Sequence, residues 1–232
     1  MYKILTLVGT RPEIIKLSLT IKKLDNFFDH YLVHTGQNYD YELNQIFFKD
    51  FNFRKSDYFL SSKSKNSINT IAKIFVKFDL ICEKIKPDAV VILGDTNSSL
   101  AAIVANKKKI PIFHIEAGNR CFNRDTPEEL NRKLVDHTSD INLTYTQIAK
   151  DYLIKEGIPG DKIIQVGSPM LEILNHFDSK INKSKILQKL RLIEKNYILV
   201  SMHREENVDN KDNLSNFIKI LENLSKIFKK KI

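Results

Sequence analysis

Carboxylates dominate the residues that could do chemistry, and they recur where an apolar run gives way to a glycine or proline loop. Glu116 follows such a run in His114-Ile115-Glu116-Ala117-Gly118-Asn119-Arg120. A carboxylate just beyond a buried stretch is costly unless paired, so Glu116 points to a functional role. Asp95 stands in a second loop, Gly94-Asp95-Thr96-Asn97, either as the N-cap of the next helix or as an acid in a ligand site. A third loop reads Asp125-Thr126-Pro127-Glu128-Glu129-Leu130-Asn131-Arg132. Thr126 and Glu129 have capping-box spacing, which gives Glu129 a structural reason and leaves the chemistry to Glu128. Arg132 lies one helical turn beyond Glu128, so a surface ion pair between the two competes with a ligand role for the arginine.

Positive groups accompany these acids. In Gly9-Thr10-Arg11-Pro12-Glu13 the glycine permits a tight turn and Pro12 suits a first helical turn, while Thr10 and Glu13 again have capping-box spacing. The free amides of that helix start, with Arg11, suit an anion; an ordinary capped helix with a solvated arginine is the alternative. The last loop is His203-Arg204-Glu205-Glu206-Asn207, where His203 and Arg204 suit a phosphate. Acids, arginines and one histidine together suit proton transfer beside an anionic leaving group.

Other chemistries lack their signatures. The seven glycines never fall into GxGxxG or GxxxxGK[ST], and there is no Tyr-x-x-x-Lys, nucleophile elbow or HExxH. No nicotinamide, nucleotide triphosphate or metal cofactor is therefore expected. Cys82 and Cys121 are far apart without CxxC spacing, and Cys82 falls on the apolar side of a helical pattern, which favours a buried free thiol over a disulfide or a metal site. The formal net charge of +9 comes from scattered lysines, and the basic run Lys226 to Lys231 reads as a solvated helix end, so nucleic acid is not the expected partner. An apolar run of about 18 residues and a charged-then-apolar leader are both lacking, and Met1 to Val8 reads directly as a strand. A cytoplasmic protein with no membrane partner is the expectation.

The elements that must position these loops follow from periodicity. Short Ile- and Val-rich runs alternate with helical patterns, which predicts an α/β fold with a doubly wound parallel sheet. Strands are expected at Lys3–Val8, His30–Thr35, Asp88–Leu93, Pro111–Ile115, Ile141–Tyr145 and Lys162–Val166. Helices are expected at Pro12–Leu24, Ile68–Lys86, Ser98–Lys108, Pro127–Thr138 and Ile148–Glu156. Lys86-Pro87 closes one helix and Gly157 another. The first domain takes residues 1–170. Residues 171–232 hold a helix through Phe177, a polar connection from Asp178 to Ser184, a strand at Tyr197–Met202 and a helix from Asn213, the start of a second Rossmann-like domain that the chain ends before completing. Ligands of open α/β sheets bind beyond the carboxyl ends of the strands, where these loops lie.

In this order GTRPEIIKL, TGQNYD, GDTNSSLAA, HIEAGNR, PEELNR, GSPM and HREENV resemble the non-hydrolysing UDP-N-acetylglucosamine 2-epimerase family. The motifs run from Gly9 to Val208. The stretch HIEAGNRCFNRDTPEELNRKLVDHTSDINLTY is similar above all to the UDP-N-acetyl-L-fucosamine synthase branch, which epimerises a UDP-6-deoxy-L-talosamine derivative for capsule and O-antigen; Asn119 and Glu205 carry that resemblance, standing where the N-acetylglucosamine enzymes usually have leucine and arginine. The resemblance implies a GT-B fold, no cofactor, a UDP-N-acetylhexosamine substrate held between two Rossmann-like domains, and room for a homodimer. It implies elimination of UDP to a glycal and re-addition on the other face. Asp95, Glu116 and Glu128 would be the acid–base carboxylates, and His203 would assist the leaving group. Arg11, Lys16, Asn119, Arg120, Arg132 and Arg204 would hold the substrate or its pyrophosphate.

Because the second domain is expected to be incomplete, weak UDP binding and weak activity of the chain alone are expected. Three rivals stand beside the epimerase: a half-enzyme that is inactive or pairs with a separate carboxyl-terminal half, a GT-B glycosyltransferase, and a hydrolysing epimerase that releases free sugar.

Overall fold

A computed structural model describes residues 1–37, 54–201 and 210–232. Its Ile- and Val-rich runs become strands buried on both faces: β1 (Lys3–Val8) is buried from Ile4 onward and β4 (Ala89–Leu93) throughout. The other strands are β2 (Asp29–His34), β3 (Tyr58–Phe59), β5 (Ile112–Ala117), β6 (Ile141–Thr144) and β7 (Ile163–Gln165). All seven are parallel, in the order β3-β2-β1-β4-β5-β6-β7. Each expected strand of the first domain forms within one or two residues. β3 was not anticipated, because two residues are too few to show a period.

The order reverses between β1 and β4, so their carboxyl-end loops flank the crevice where an open sheet of this class takes its ligand. This is the α/β, Rossmann-like class expected.

Helices cover both faces. α1 (Arg11–Lys16) and α2 (Ser18–Phe27) replace the single expected helix, with Leu17 between them. α3 (Ser67–Ile85) buries Thr70, Ile74, Phe78, Cys82 and Ile85, a stripe at spacings of four and three. The Asn66 side chain caps its start by accepting from the Asn69 amide at 2.8 Å, and Lys86, in the left-handed region at φ 53°, ends it before Pro87. A 3-10 turn at Ser99–Ala101 leads into α4 (Ala102–Lys107). α5 (Pro127–Thr138) matches its expected bounds, and α6 (Gln147–Lys155) is closed by Gly157 at φ 90°. On one face Leu5, Val90, Ile92, Phe78, Ala101 and Ile112 pack into the main core; Val8, Ile14, Leu17, Ile21, Leu32 and Leu93 form a second cluster. Cys82 is a buried free thiol, as its helical pattern predicts, with a pKa that burial pushes up to about 12, and Cys121 is free and exposed.

The chain divides into two compact units, Met1–Asn175 and His176–Ile232, so the division falls later than residue 170, inside α7 (Met170–Asn182). α7 runs through most of the polar segment that was expected to connect the domains. Its last turn is supported by the Asn182 amide donating to Asp178 at 2.8 Å, an i,i+4 bond that an Asp/Asn-rich stretch can make as a helix. The second unit holds α8 (Ile186–Lys189) and α9 (Lys211–Phe228), the latter capped by the Asn210 side chain. Of the strand expected at Tyr197–Met202, the described residues form an isolated bridge between Tyr197 and Lys231, since a strand requires a partner ladder and these residues find one pairing among the described ones. Met202 itself lies outside the described residues. Among the described residues no helix is long and apolar enough to cross a membrane.

Candidate active site

The site begins at Gly9. A side chain there would sit 2.1 Å from Ser98 Oγ and 2.3 Å from Thr35 Oγ1, so only glycine lets the β1 loop reach the β4 loop this closely. Thr35 and Ser98 share a hydrogen bond of 2.8 Å, and Gln37 Oε1 accepts from the Ser98 hydroxyl at 2.9 Å. Glu13 completes the joint. Its carboxylate accepts from the amides of Gly9 (2.5 Å) and Thr10 (2.7 Å), and from the Thr96 hydroxyl at 2.6 Å. Sequence reasoning gave Glu13 a capping role alone; it also ties α1 to the loop that carries Asp95. Burial pushes its pKa up, against the pull of those donors.

Two acids stand side by side beyond this joint. The Gly94 amide donates to the Ile115 carbonyl at 3.0 Å, so the residues that follow, Asp95 and Glu116, leave adjacent strands together. Glu116 is the extra residue of a β-bulge: Ile115 pairs with Leu143 and Ala117 with Thr144, leaving Glu116 unpaired at φ 70°. A bulge re-aims a side chain, and a left-handed backbone in a residue with a Cβ is strained. Lys16, from the last turn of α1, clamps the re-aimed carboxylate at 2.5 and 2.7 Å. The Tyr145 hydroxyl is buried near it, and burial, with the neighbouring Glu116 carboxylate, raises that phenol's pKa.

Asp95 has its own cation. Arg132 Nε, from α5, donates to Asp95 Oδ2 at 2.7 Å, and the Asn131 amide donates to the Asp95 carbonyl at 2.9 Å. Arg132 also bridges to Glu129 at 3.1 Å. The surface ion pair with Glu128 that competed with a ligand role for Arg132 does not form; Arg132 pairs with Asp95 and Glu129 instead. Glu129 does not close a capping box with Thr126. It reaches out of the helix to the amides of Cys121 (3.0 Å) and Phe122 (3.2 Å). Burial opposes its ionisation, yet those amides, the Cys121 thiol and Arg132 lower its pKa to about 2. Glu128 is exposed on the first turn of α5 and has no polar partner among the described residues.

The remaining expected site residues separate. Arg120 was expected on the substrate, but its guanidinium is fully buried. It donates to both oxygens of Glu156 (2.8 and 2.6 Å), to Asp136 (2.7 Å) and to the Asn119 carbonyl (2.8 Å), which leaves it little to offer a ligand. Asn119 is half-buried beside it, and Arg11 is exposed at the start of α1. His203 and Arg204 lie outside the described residues. Sequence reasoning missed His114 and Asp136: the His114 ring, buried in β5, bonds Asp136 at 2.9 Å and the Gly94 carbonyl at 2.9 Å. The one available signal was a histidine inside a buried apolar run. Two acids on neighbouring strand ends, each with a separate cation, form an arrangement for taking a proton and returning one.

Residues 22–232 match the protein family described as UDP-N-acetylglucosamine 2-epimerase. The chain is similar to the UDP-N-acetylglucosamine 2-epimerase structure from Rickettsia bellii, at 50% identity and a TM-score of 0.91, over 99% of this chain and 60% of that one. It is also similar to the Methanocaldococcus jannaschii UDP-GlcNAc 2-epimerase in complex with UDP-GlcNAc and UDP, at 37% identity and a TM-score of 0.92, over 98% of this chain and 64% of that one. A curated Pseudomonas aeruginosa relative, UDP-2,3-diacetamido-2,3-dideoxy-D-glucuronate 2-epimerase, is 35% identical over 96% of this chain and 63% of its own. The chain thus spans less than two thirds of the length of these relatives. On the match over residues 22–232, the chain belongs to the UDP-N-acetylglucosamine 2-epimerase family.

Proposed function

We propose that this chain carries the acid–base half of a cytoplasmic enzyme that epimerises carbon 2 of a UDP-N-acetylhexosamine for surface polysaccharide. The observation that carries the reading is the pairing of Gly94 with Ile115, which delivers Asp95 and Glu116 to one edge with Arg132 and Lys16 as their cations.

The carbon 2 proton has no adjacent carbonyl to stabilise a carbanion. The reaction therefore proceeds by elimination: a carboxylate takes the proton, the C–H electron pair becomes a C1–C2 double bond, and UDP departs with the C1–O pair. Re-addition forms the C1–O bond again while an acid returns a proton to the opposite face of carbon 2. The sequence is redox-neutral and draws on no cofactor. Asp95, Glu116 and Glu128 are the proposed acid–base groups, and His203 assists the leaving group. Arg11, Arg132 and Arg204 are proposed to offset the negative charge of UDP, and Asn119 to face the sugar. Lys16 is proposed to hold Glu116 as well as substrate. Arg120 we reassign from substrate binding to positioning, because its donors are already used.

The M. jannaschii structure with UDP-GlcNAc and UDP supports the nucleotide-sugar class. Asn119 and Glu205 favour the UDP-6-deoxy-L-talosamine derivative within it. The test is incubation of the chain in D2O with UDP-GlcNAc and, separately, with that deoxy sugar, followed by mass spectrometry. Slow deuterium entry at carbon 2 is expected from the chain alone, faster with the deoxy sugar than with UDP-GlcNAc, and robust exchange would refute the expected weakness of the chain alone. Transfer of sugar to an acceptor without carbon 2 exchange would establish a glycosyltransferase instead, and release of free sugar a hydrolysing enzyme.

A further inference from the structure

We infer that His114 is a positioning residue which, as a doubly protonated imidazolium, ties the Asp95 loop to the Glu116 loop and sets the spacing of the two carboxylates. This rests on the acid–base roles proposed for Asp95 and Glu116.

The charge state follows from the partners. His114 Nε2 lies 2.9 Å from the Gly94 carbonyl oxygen, which only accepts, so Nε2 carries a proton. Nδ1 lies 2.9 Å from Asp136 Oδ1. That carboxylate is itself surrounded by donors. The Gly118 amide reaches its two oxygens at 3.3 and 3.2 Å, and Arg120 Nη1 donates to Oδ2 at 2.7 Å. With the Gly118 amide and Arg120 already donating to this carboxylate, its place toward the ring is that of an acceptor, which puts the shared proton on Nδ1. Although burial alone favours neutral imidazole, the Asp136 charge and the Gly94 carbonyl raise the His114 pKa.

Around the ring, α5 contributes Asp136, the end of β4 the Gly94 carbonyl, and β6 the Asn142 amide, which donates to the Asp136 carbonyl at 3.0 Å. Beyond Asp136 stand Arg120 and then Glu156, with His137 3.2 Å from Glu156. Along the chain His114–Asp136–Arg120–Glu156 the charges alternate. Such a buried chain tolerates a cation at His114, and removing one member leaves a charge unpaired.

Position gives the network its consequence. Gly94 precedes Asp95 directly, and Gly118 follows Glu116 by two residues. Held at Gly94 through Nε2 and at Gly118 through Asp136, the ring joins the two loops that carry the acids. Since displacement of a catalytic group by about 1 Å can cost on the order of 100-fold in rate, this is a lever on turnover rather than on binding.

The test labels the full chain with 15N-histidine. At pH 7.5 both His114 ring nitrogens are expected at imidazolium shifts, and in Asp136→Asn one of them is expected to move to the unprotonated range. In His114→Gln the Asp95 and Gly118 backbone amides are expected to shift together; Asp136→Asn serves for the same readout if His114→Gln does not fold. A neutral His114 at pH 7.5, or Asp95 and Gly118 amides that stay in place in either variant, would overturn the inference. On activity, His114→Gln is expected to lower kcat about 100-fold with KM for the UDP-sugar little changed. A kcat equal to wild type would reject the positioning role while leaving the epimerase reading intact. Absence of carbon 2 exchange in the unaltered chain would favour the half-enzyme over a self-sufficient epimerase, and the spectra alone would then decide whether His114 joins the loops.

Discussion

Lys16 Nζ lies within hydrogen-bond distance of both oxygens of Glu116, joining α1 to the β5 bulge across 100 residues of sequence. Both side chains are partly open to solvent, at 25% and 19% exposure, so the pair contributes little to stability, about 1 kcal/mol at most. Its weight falls on the carboxylate's direction. Lys16→Met is expected to leave the melting temperature nearly unchanged and to slow carbon 2 exchange about 100-fold. Deuterium incorporation set beside a thermal melt checks both. A large loss of stability with exchange preserved would mean the pair is structural.

Glu116 pays for its direction with backbone strain. At φ 70° a residue with a Cβ costs about 1 kcal/mol more than glycine would. Glu116→Gly and Glu116→Ala both delete the carboxylate and the Lys16 pair, so their difference isolates the backbone. The glycine variant is expected to be the more stable by about 1 kcal/mol in urea unfolding, and neither should exchange deuterium. Equal stabilities would show that the bulge is not strained.

Glu129 fixes part of the acid limb of stability. Its folded pKa is lowered to about 2 from an ordinary 4.5, so the stabilisation is present above pH 4.5 and is lost as pH falls towards 2. That step is on the order of 3 kcal/mol. Urea midpoints between pH 6 and pH 2 should fall more steeply for the unaltered chain than for Glu129→Gln, which lacks the titrating group. Parallel curves would remove Glu129 from the acid transition.

The sheet was legible because parallel strands buried on both faces are written as runs such as Ala89-Val90-Val91-Ile92-Leu93, and α5 because Thr126-Pro127 marks its start. The loops with Asp95 and Glu116 were legible for the same reason: a polar residue just past a buried run marks a strand's carboxyl end. What stayed hidden depends on contacts between distant residues. Nothing near Glu116 announces a bulge, since residues other than glycine seldom adopt positive φ. Nothing near His114 announces Asp136, which is 22 positions away. Arg120 looked like a surface ligand for want of Glu156, which is 36 positions on. In the second unit, Tyr197–Val200 reads as a strand by its own residues, yet a strand is a property of pairs, and among the described residues it makes a single bridge, to Lys231.

Local spacing also misled the reasoning about Glu128 and Glu129, and that leaves a clean experiment. The capping-box spacing of Thr126 and Glu129 is real in sequence, but the Glu129 carboxylate serves Cys121, Phe122 and Arg132 instead. It is the buried, structural acid of the two, while Glu128 projects from the adjacent position, exposed. Loss of a buried charged acceptor costs about 1 to 3 kcal/mol, whereas an exposed side chain without partners usually changes stability by less than about 0.5 kcal/mol. Glu129→Gln is therefore expected to lower the urea midpoint, and Glu128→Gln to leave it in place. If Glu128 is the third acid–base carboxylate, Glu128→Gln should still slow carbon 2 exchange by about 100-fold or more, separating turnover from stability within one pair of adjacent residues. Full exchange in Glu128→Gln would remove it from the chemistry and leave Asp95 and Glu116 to carry both proton transfers.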